Sequence, residues 1–140
     1  MLTLVKQKHE CACVVACIAT ITGLSYEKCL NIVYPKRKIN TWNLVGTWMK
    51  DQFKAMDRLN LKYRFRKNNT SLLKLKHNAI LIIKHPIYFD RFKRGTHAVV
   101  WDAEAKKILD PYPSNSRHMK RNLPFKSYQK SIIEVSEIFN

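Results

Sequence analysis

The sequence predicts an α+β domain in which helices come first and an antiparallel sheet follows. Apolar residues recur every three or four positions in residues 41–59 and every second position in residues 61–66, and short apolar runs follow from residue 79. The strand-like segments then follow one another with no helical segment between them, as in an antiparallel sheet. No internal repeat or linker interrupts the 140 residues, so we expect one domain over residues 1–140.

Three helices are expected before the change of period. The segment Cys13–Thr22 is apolar almost all round, which indicates a buried helix, and Gly23 suits its end. Ser25 is placed to cap a second helix that runs to about Val33. A third helix is predicted over residues 41–59, with one apolar stripe that we interpret as core. The stripe comprises Trp42, Val45, Trp48, Met49, Phe53 and Met56.

Five strands are expected after these helices. Residues 61–66 alternate apolar and basic side chains, which predicts a half-buried strand with one basic face. The apolar run at residues 79–83 predicts a central strand. Residues 97–101 and 107–109 predict a hairpin joined by a five-residue loop. Residues 132–139 predict a closing strand, with a helix as the alternative.

Composition and charge restrict the class of protein. Hydrophobic residues make up 46% of the chain, which provides a core and excludes a disordered polybasic tail. The 26 Lys and Arg against 10 Asp and Glu give a net charge of +16, which favours acidic or polyanionic partners. The basic residues accompany no zinc finger or RNA-binding aromatic motif. Sequence-specific recognition of nucleic acid is therefore not indicated, while non-specific attraction to nucleic acid stays open.

The expected chemical state of the cysteines depends on the cellular compartment. The longest apolar run, residues 11–24, is shorter than the ~20 residues of a spanning helix, so no transmembrane segment is expected. The apolar stretch before Cys17 is also too short for a signal peptide, and we expect a cytoplasmic protein with reduced thiols. His9, Cys11, Cys13 and Cys17 lack the second knuckle of a structural zinc site, so we expect no metal and no cofactor.

Four residues occur in an order that suits thiol catalysis. Cys13 begins the buried helix, where free N–H groups and the helix dipole favour a thiolate. His97 opens one strand of the predicted hairpin and Asp110 closes the other, so the carboxylate is within range to orient the imidazole. Gln7 lies six residues before Cys13 and can direct its amide towards the same point as an oxyanion donor.

Other residues compete for these roles. Cys11 is the rival nucleophile, and His85 is a rival base that also follows a strand but has no acidic strand end beside it. Cys17 and Cys29 fit a helix core better than a site. His118 fits a solvated loop, and the Asp110–Pro111 pair also suits a turn at a strand end.

The motifs resemble a known peptidase family. Residues 7–17, QKHECACVVAC, are similar to the opening motif of the bacteriocin-processing peptidases that cleave double-glycine leaders. Residues 96–100, THAVV, resemble the histidine motif of that family, and residues 109–111, LDP, resemble its Asp-Pro motif. Residues 21–23 and 79–83 fit its glycine turn and the strand before its histidine.

The resemblance implies a papain-like cysteine peptidase fold, with the cysteine helix on one side of the site and the antiparallel sheet on the other. It implies that Cys13 is the nucleophile, His97 the general base, Asp110 the orienting group and Gln7 the oxyanion donor. We therefore expect a thiol hydrolase acting on a peptide or protein that the +16 charge suggests is acidic. Deconjugation and acyl transfer would use the same residues.

Two hypotheses of other classes remain. One is a basic binding protein on the same scaffold, which holds nucleic acid or an acidic protein with weak or no catalysis. The other is a pseudoenzyme in which Val14, a β-branched residue directly after Cys13, narrows or fills the cleft.

Overall fold

A computed structural model describes residues 1–8, 12–35, 49–67, 69–84, 96–112 and 129–136. Helices pack on a five-stranded antiparallel sheet, which confirms the α+β prediction. The helices are α1 (Cys13–Thr22), α2 (Tyr26–Val33) and α3 (Met49–Arg58), with a short 3-10 turn at Leu72–Lys74. The strands are β1 (Lys62–Arg66), β2 (Ala79–Lys84), β3 (Thr96–Asp102), β4 (Lys107–Leu109) and β5 (Gln129–Ser136).

The end of α1 and the start of α2 lie where their predicted cap residues place them. Gly23 has a φ of 75° after the last turn of α1, and its N–H donates to the Ala19 carbonyl over 2.9 Å. The Ser25 hydroxyl accepts the Lys28 N–H at the start of α2 over 3.1 Å. The predicted third helix is confirmed over α3, while residues 41–48, which contain both of its tryptophans, lie outside the described residues.

The sheet has the strand order β1-β5-β2-β3-β4, and every described pair is antiparallel. The central position predicted for β2 is confirmed. The last segment is a strand, so the helical alternative is wrong, and it begins three residues earlier than predicted, at Gln129 instead of Ile132. It lies between β1 and β2, because its apolar residues need neighbours on both sides to be buried.

The half-buried character predicted for β1 holds only in part. Phe65 is 56% exposed although it falls on the apolar side of the alternation. The reason is that β1 is an edge strand, where Phe65 contacts Phe53 edge-on with centroids 5.3 Å apart. The inner Tyr63 stacks on the same Phe53 ring at 4.5 Å.

The basic face of β1 surrounds one buried carboxylate. The Glu134 side chain on β5 is only 1% exposed, and its oxygens lie 3.3 Å from Nε of Arg64 and 3.0 Å from Nε of Arg66. Nδ1 of His77 lies 3.3 Å from the same carboxylate. Part of the basic face predicted for this strand therefore compensates a buried anion.

The two faces of the sheet are buried against different partners. On one face Ile80, Val100 and Ile133 pack with the residues of α1 and α2 in the larger core. On the other face Leu81 and Trp101 pack with Leu75 and its neighbours. In the larger core α1 packs against β3, and this packing positions Cys13 relative to His97. Within the described ranges, no helix is both long enough and apolar enough to cross a membrane.

Candidate active site

Cys13 is the first residue of α1, and it is half-buried. The residue before it, Ala12, provides no side-chain cap, so the first N–H groups of the helix are available to other acceptors. Burial raises the pKa of the Cys13 thiol, but the hydrogen bond and charge of His97 and the N–H groups of Ala98 and Val14 outweigh it. The net result is a thiol pKa below its ordinary value, as a reactive cysteine requires.

The short length of β4 exposes the edge of β3 to Cys13. β4 pairs only with Val100, Trp101 and Asp102, so the preceding part of β3 has no β4 partner. The N–H of Ala98 lies in that part and donates to the Cys13 sulfur. The sheet edge and the helix end therefore both direct N–H groups at the same sulfur atom.

His97 and Asp110 form a buried pair. Nε2 of His97 lies 2.7 Å from Oδ1 of Asp110, and the two residues are 5% and 9% exposed. Because Nε2 faces the carboxylate, the hydrogen bond between His97 and the Cys13 thiol uses Nδ1. Burial lowers the pKa of His97, but the hydrogen bonds and charges of Asp110 and Cys13 outweigh it and raise that pKa to about 9.

Asp110 is held by the turn that it begins. Its Oδ1 also accepts the N–H of Tyr112 over 2.9 Å, a bond from a side chain to the backbone two residues ahead. The Tyr112 ring lies edge-on to the His97 ring, with centroids 5.9 Å apart. The turn after β4 therefore positions both the carboxylate and an aromatic wall beside the imidazole.

The N-terminal segment brings Gln7 to the same end of the fold. It runs along α1, where the N–H of Val5 donates to the Thr20 hydroxyl over 3.0 Å. At its end the backbone N–H of Gln7 donates to the Pro111 carbonyl over 2.8 Å, and the Gln7 side chain is buried. Gln7 thus lies against the turn that carries Asp110.

Three features of the site were missed by the sequence analysis. The ammonium of Lys6 binds the carbonyls of Asp110 and Tyr112, and no local pattern in the sequence indicates it. The N–H of Ala98 depends on where β4 ends, which local periodicity does not define. The bond from Tyr112 could have been predicted, because Asp followed by Pro is typical of such a turn.

The competing residues are only partly described. Cys11, His85 and His118 lie outside the described residues, and so does His9 of the zinc alternative. Cys17 and Cys29 are both fully buried, as predicted. Burial, followed by the charges of Cys13 and Asp110, raises the pKa of Cys17 well above its ordinary value. Among the described residues no three His, Cys, Asp or Glu side chains group as metal ligands.

The comparisons with known proteins concern the fold. No protein-family model matches the sequence, and no curated protein matches it either. The peptidase domain of Streptococcus ComA, described as a bi-functional ABC transporter involved in a quorum-sensing pathway, superposes with a TM-score of 0.65 at 20% identity. That match covers 95% of this chain and 96% of the other. The chain has a papain-like peptidase fold.

A second solved structure agrees. The peptidase domain of Streptococcus mutans ComA superposes with a TM-score of 0.57 at 20% identity, over 95% of this chain and 98% of the other. The resemblance predicted from the motifs around residues 7–17, 96–100 and 109–111 is thereby confirmed at the level of the fold.

Proposed function

We propose that this chain is a cysteine peptidase in which Cys13, His97, Asp110 and Gln7 carry the reaction. The observation that carries the proposal is that the buried His97 ring contacts both the half-buried Cys13 thiol at the start of α1 and the Asp110 carboxylate. A lowered thiol pKa beside a raised imidazole pKa favours a thiolate and imidazolium pair near neutral pH. That pair is the resting state a thiol hydrolase needs.

The reaction follows from these positions. The Cys13 thiolate attacks the carbonyl carbon of the scissile peptide bond, and the carbonyl electron pair moves to its oxygen. The backbone N–H of Cys13 and the amide of Gln7 stabilise this oxyanion. The imidazolium of His97 then protonates the leaving amine as the C–N bond breaks, and an acyl thioester remains on Cys13.

Release of the acid product uses the same residues. Neutral His97 takes a proton from water, the hydroxyl oxygen attacks the thioester, and the C–S bond breaks to restore the thiolate. Asp110 stays hydrogen-bonded to the His97 ring through both steps and keeps the ring oriented. An amine or an alcohol in place of water would give acyl transfer, so the class of acceptor is decided by the substrate cleft.

Selective alkylation tests the proposal. Iodoacetamide at about pH 6 modifies a cysteine of low pKa and leaves ordinary thiols largely unmodified. We expect Cys13 to be alkylated faster than glutathione in the same solution, and mass mapping to find carboxamidomethyl groups on Cys13 before the buried Cys17 and Cys29. Cleavage of a mixed peptide library should stop in Cys13→Ala and continue in Cys29→Ala. Equal alkylation of Cys13 and Cys29 would contradict the proposal.

A second candidate function is the binding of a polyanion on this scaffold. It is favoured by β1, whose Lys62 is exposed and whose Arg66 stays 39% exposed while it pairs with Glu134. Affinity for a single-stranded oligonucleotide should then fall steeply with salt and weaken in Lys62→Gln. No affinity at low salt would remove this candidate, and so would an affinity that does not depend on salt.

A further inference from the structure

We propose that Lys6 is a positioning residue for the catalytic pair: its ammonium group holds the turn of residues 110–112 so that the Asp110 carboxylate stays against His97. This inference rests on the proposed function and adds a residue to it. Lys6 touches neither the Cys13 sulfur nor the His97 ring in the described contacts, so it acts through Asp110.

Residues 6 and 7 bind three successive carbonyls of this turn. Nζ of Lys6 lies 3.2 Å from the carbonyl oxygen of Asp110 and 2.9 Å from that of Tyr112. The backbone N–H of Gln7 donates to the carbonyl between them, that of Pro111, over 2.8 Å. We call these three hydrogen bonds the clamp.

The turn matters because its conformation decides where the carboxylate lies. Oδ1 of Asp110 accepts the N–H of Tyr112 over 2.9 Å and faces Nε2 of His97 at 2.7 Å. Both contacts use the same oxygen, so a rotation of the turn that weakens one also displaces the other. A displaced carboxylate would leave the buried imidazolium less stabilised and thereby raise the pKa of the Cys13 thiol.

The chemistry of lysine suits this role. An ammonium group has several N–H donors and no acceptor, so one side chain can bind two carbonyls that point in different directions. The two contacts of its ammonium group described above are to carbonyl oxygens rather than to carboxylates. A lysine whose only role was to neutralise charge would instead face an acidic side chain, as Lys8 faces Glu27.

The clamp also links two parts of the proposed site. Lys6 and Gln7 are adjacent in sequence, so the segment that would supply the oxyanion donor also fixes the residue that orients the base. The same segment is anchored further back, where the N–H of Leu2 donates to the Asp102 carboxylate over 3.0 Å. Loss of the Lys6 contacts should therefore displace the turn of residues 110–112, while the N-terminal segment stays bound through its other contacts.

The test compares Lys6→Met and Lys6→Gln with Lys6→Arg and with Lys8→Met as the matched control. The readout is the rate of Cys13 alkylation by iodoacetamide across the pH range, together with peptide cleavage. We expect Lys6→Met and Lys6→Gln to lower the rate at about pH 6 roughly tenfold, because a displaced Asp110 carboxylate reduces the ionised fraction of the Cys13 thiol. The pH profile should move towards that of an ordinary thiol. Lys6→Arg should restore the rate to within about twofold, because it keeps a cation with several donors, and Lys8→Met should match the wild type.

The outcomes separate the clamp from the proposed function. A wild type with a reactive Cys13 and an unchanged profile in Lys6→Gln would overturn the clamp and leave the peptidase proposal intact. An unreactive Cys13 in the wild type would overturn both. Unfolding of a variant would be recognised by alkylation of the buried Cys17 and Cys29. If Lys6→Met unfolds, the alkylation profile of Lys6→Gln tests the clamp instead. If both variants unfold and Lys6→Arg also loses the wild-type fold and rate, Lys6 is structural and the proposal is wrong.

Discussion

The imidazole of His97 and the carboxylate of Asp110 are joined by a contact of 2.7 Å that is almost closed to water. The two residues are 13 positions apart: His97 lies near the start of β3, and Asp110 directly follows β4. Burial lowers the pKa of His97, yet Asp110 and then Cys13 raise it to about 9. The pair therefore keeps the imidazole charged near neutral pH, which in turn favours the thiolate.

The first prediction concerns the charge of Asp110. Asp110→Asn keeps the size of the side chain but removes the negative charge, so the pKa of His97 should fall and that of the Cys13 thiol should rise. We expect peptide cleavage at neutral pH to fall roughly 100-fold, within the range of general acid and base effects. The acidic limb of the alkylation profile should move upward in pH.

Asp57→Asn on the exposed side of α3 is the matched control for that change and should behave as the wild type. A profile of Asp110→Asn that coincides with the wild-type profile would show that Asp110 does not stabilise the imidazolium.

The second prediction concerns stability and pH. The pKa of His97 is raised from 6.5 to about 9 on folding, so its contribution is complete below pH 6.5 and is lost as the pH rises through about 9. The pKa of Cys13 is lowered from 9.0, so its contribution is complete above that value and is lost as the pH falls through the lowered pKa. In the wild type the two contributions change with pH in opposite directions where these ranges overlap, below about pH 9.

Cys13→Ala removes one of them. In this variant burial lowers the pKa of His97 and Asp110 alone raises it. We expect the contact with Asp110 to prevail, so the free energy of unfolding should decrease as the pH rises above about 6.5. Urea unfolding at several pH values measures this slope, which should be shallower in the wild type. The double variant Cys13→Ala, Asp110→Asn should lose the slope, and a slope that persists there would assign it to another group.

The third prediction concerns the buried carboxylate of Glu134. Glu134→Gln leaves Arg64, Arg66 and His77 gathered around a neutral amide, so we expect a loss of about 1–3 kcal/mol in the free energy of unfolding. The loss stays below that of a fully buried pair because the two arginines are 40% and 39% exposed. Glu27→Gln on the surface should leave the urea midpoint unchanged. An unchanged midpoint in Glu134→Gln would mean that the cations gain as much from water as from the carboxylate.

Local signals in the sequence predicted much of the fold. Gly23 predicted the end of α1 and Ser25 predicted the start of α2, because a left-handed cap and a hydroxyl cap act within four residues. The hairpin of β3 and β4 was predicted for the same reason, although its loop is four residues long because Asp102 still pairs with Lys107. The motifs around Cys13, His97 and Asp110 were enough to predict which side chains the fold brings together.

Features that depend on distant neighbours were not predictable from local patterns. Alternation along β1 does not show that β1 lies at an edge, so the exposure of Phe65 was missed. The place of β5 inside the sheet is likewise decided by pairing with β1 and β2. The contacts of Lys6 join residues more than 100 positions apart in the sequence, and no local rule describes them.

The last prediction concerns Val14 and the pseudoenzyme hypothesis. Val14 is 4% exposed and packs in the core between α1, α2 and the sheet, while its backbone N–H lowers the pKa of Cys13. Val14→Ala removes two buried carbons and keeps that N–H, so we expect a loss of about 2 kcal/mol in stability. The rate of Cys13 alkylation should stay within about twofold of the wild type, because the groups that set the thiol pKa are unchanged.

Iodoacetamide is small, so peptide cleavage is the stricter measure of access to the cleft. A rise of tenfold or more in cleavage with unchanged alkylation would show that the Val14 side chain restricts the substrate, whereas equal cleavage places its role in the core.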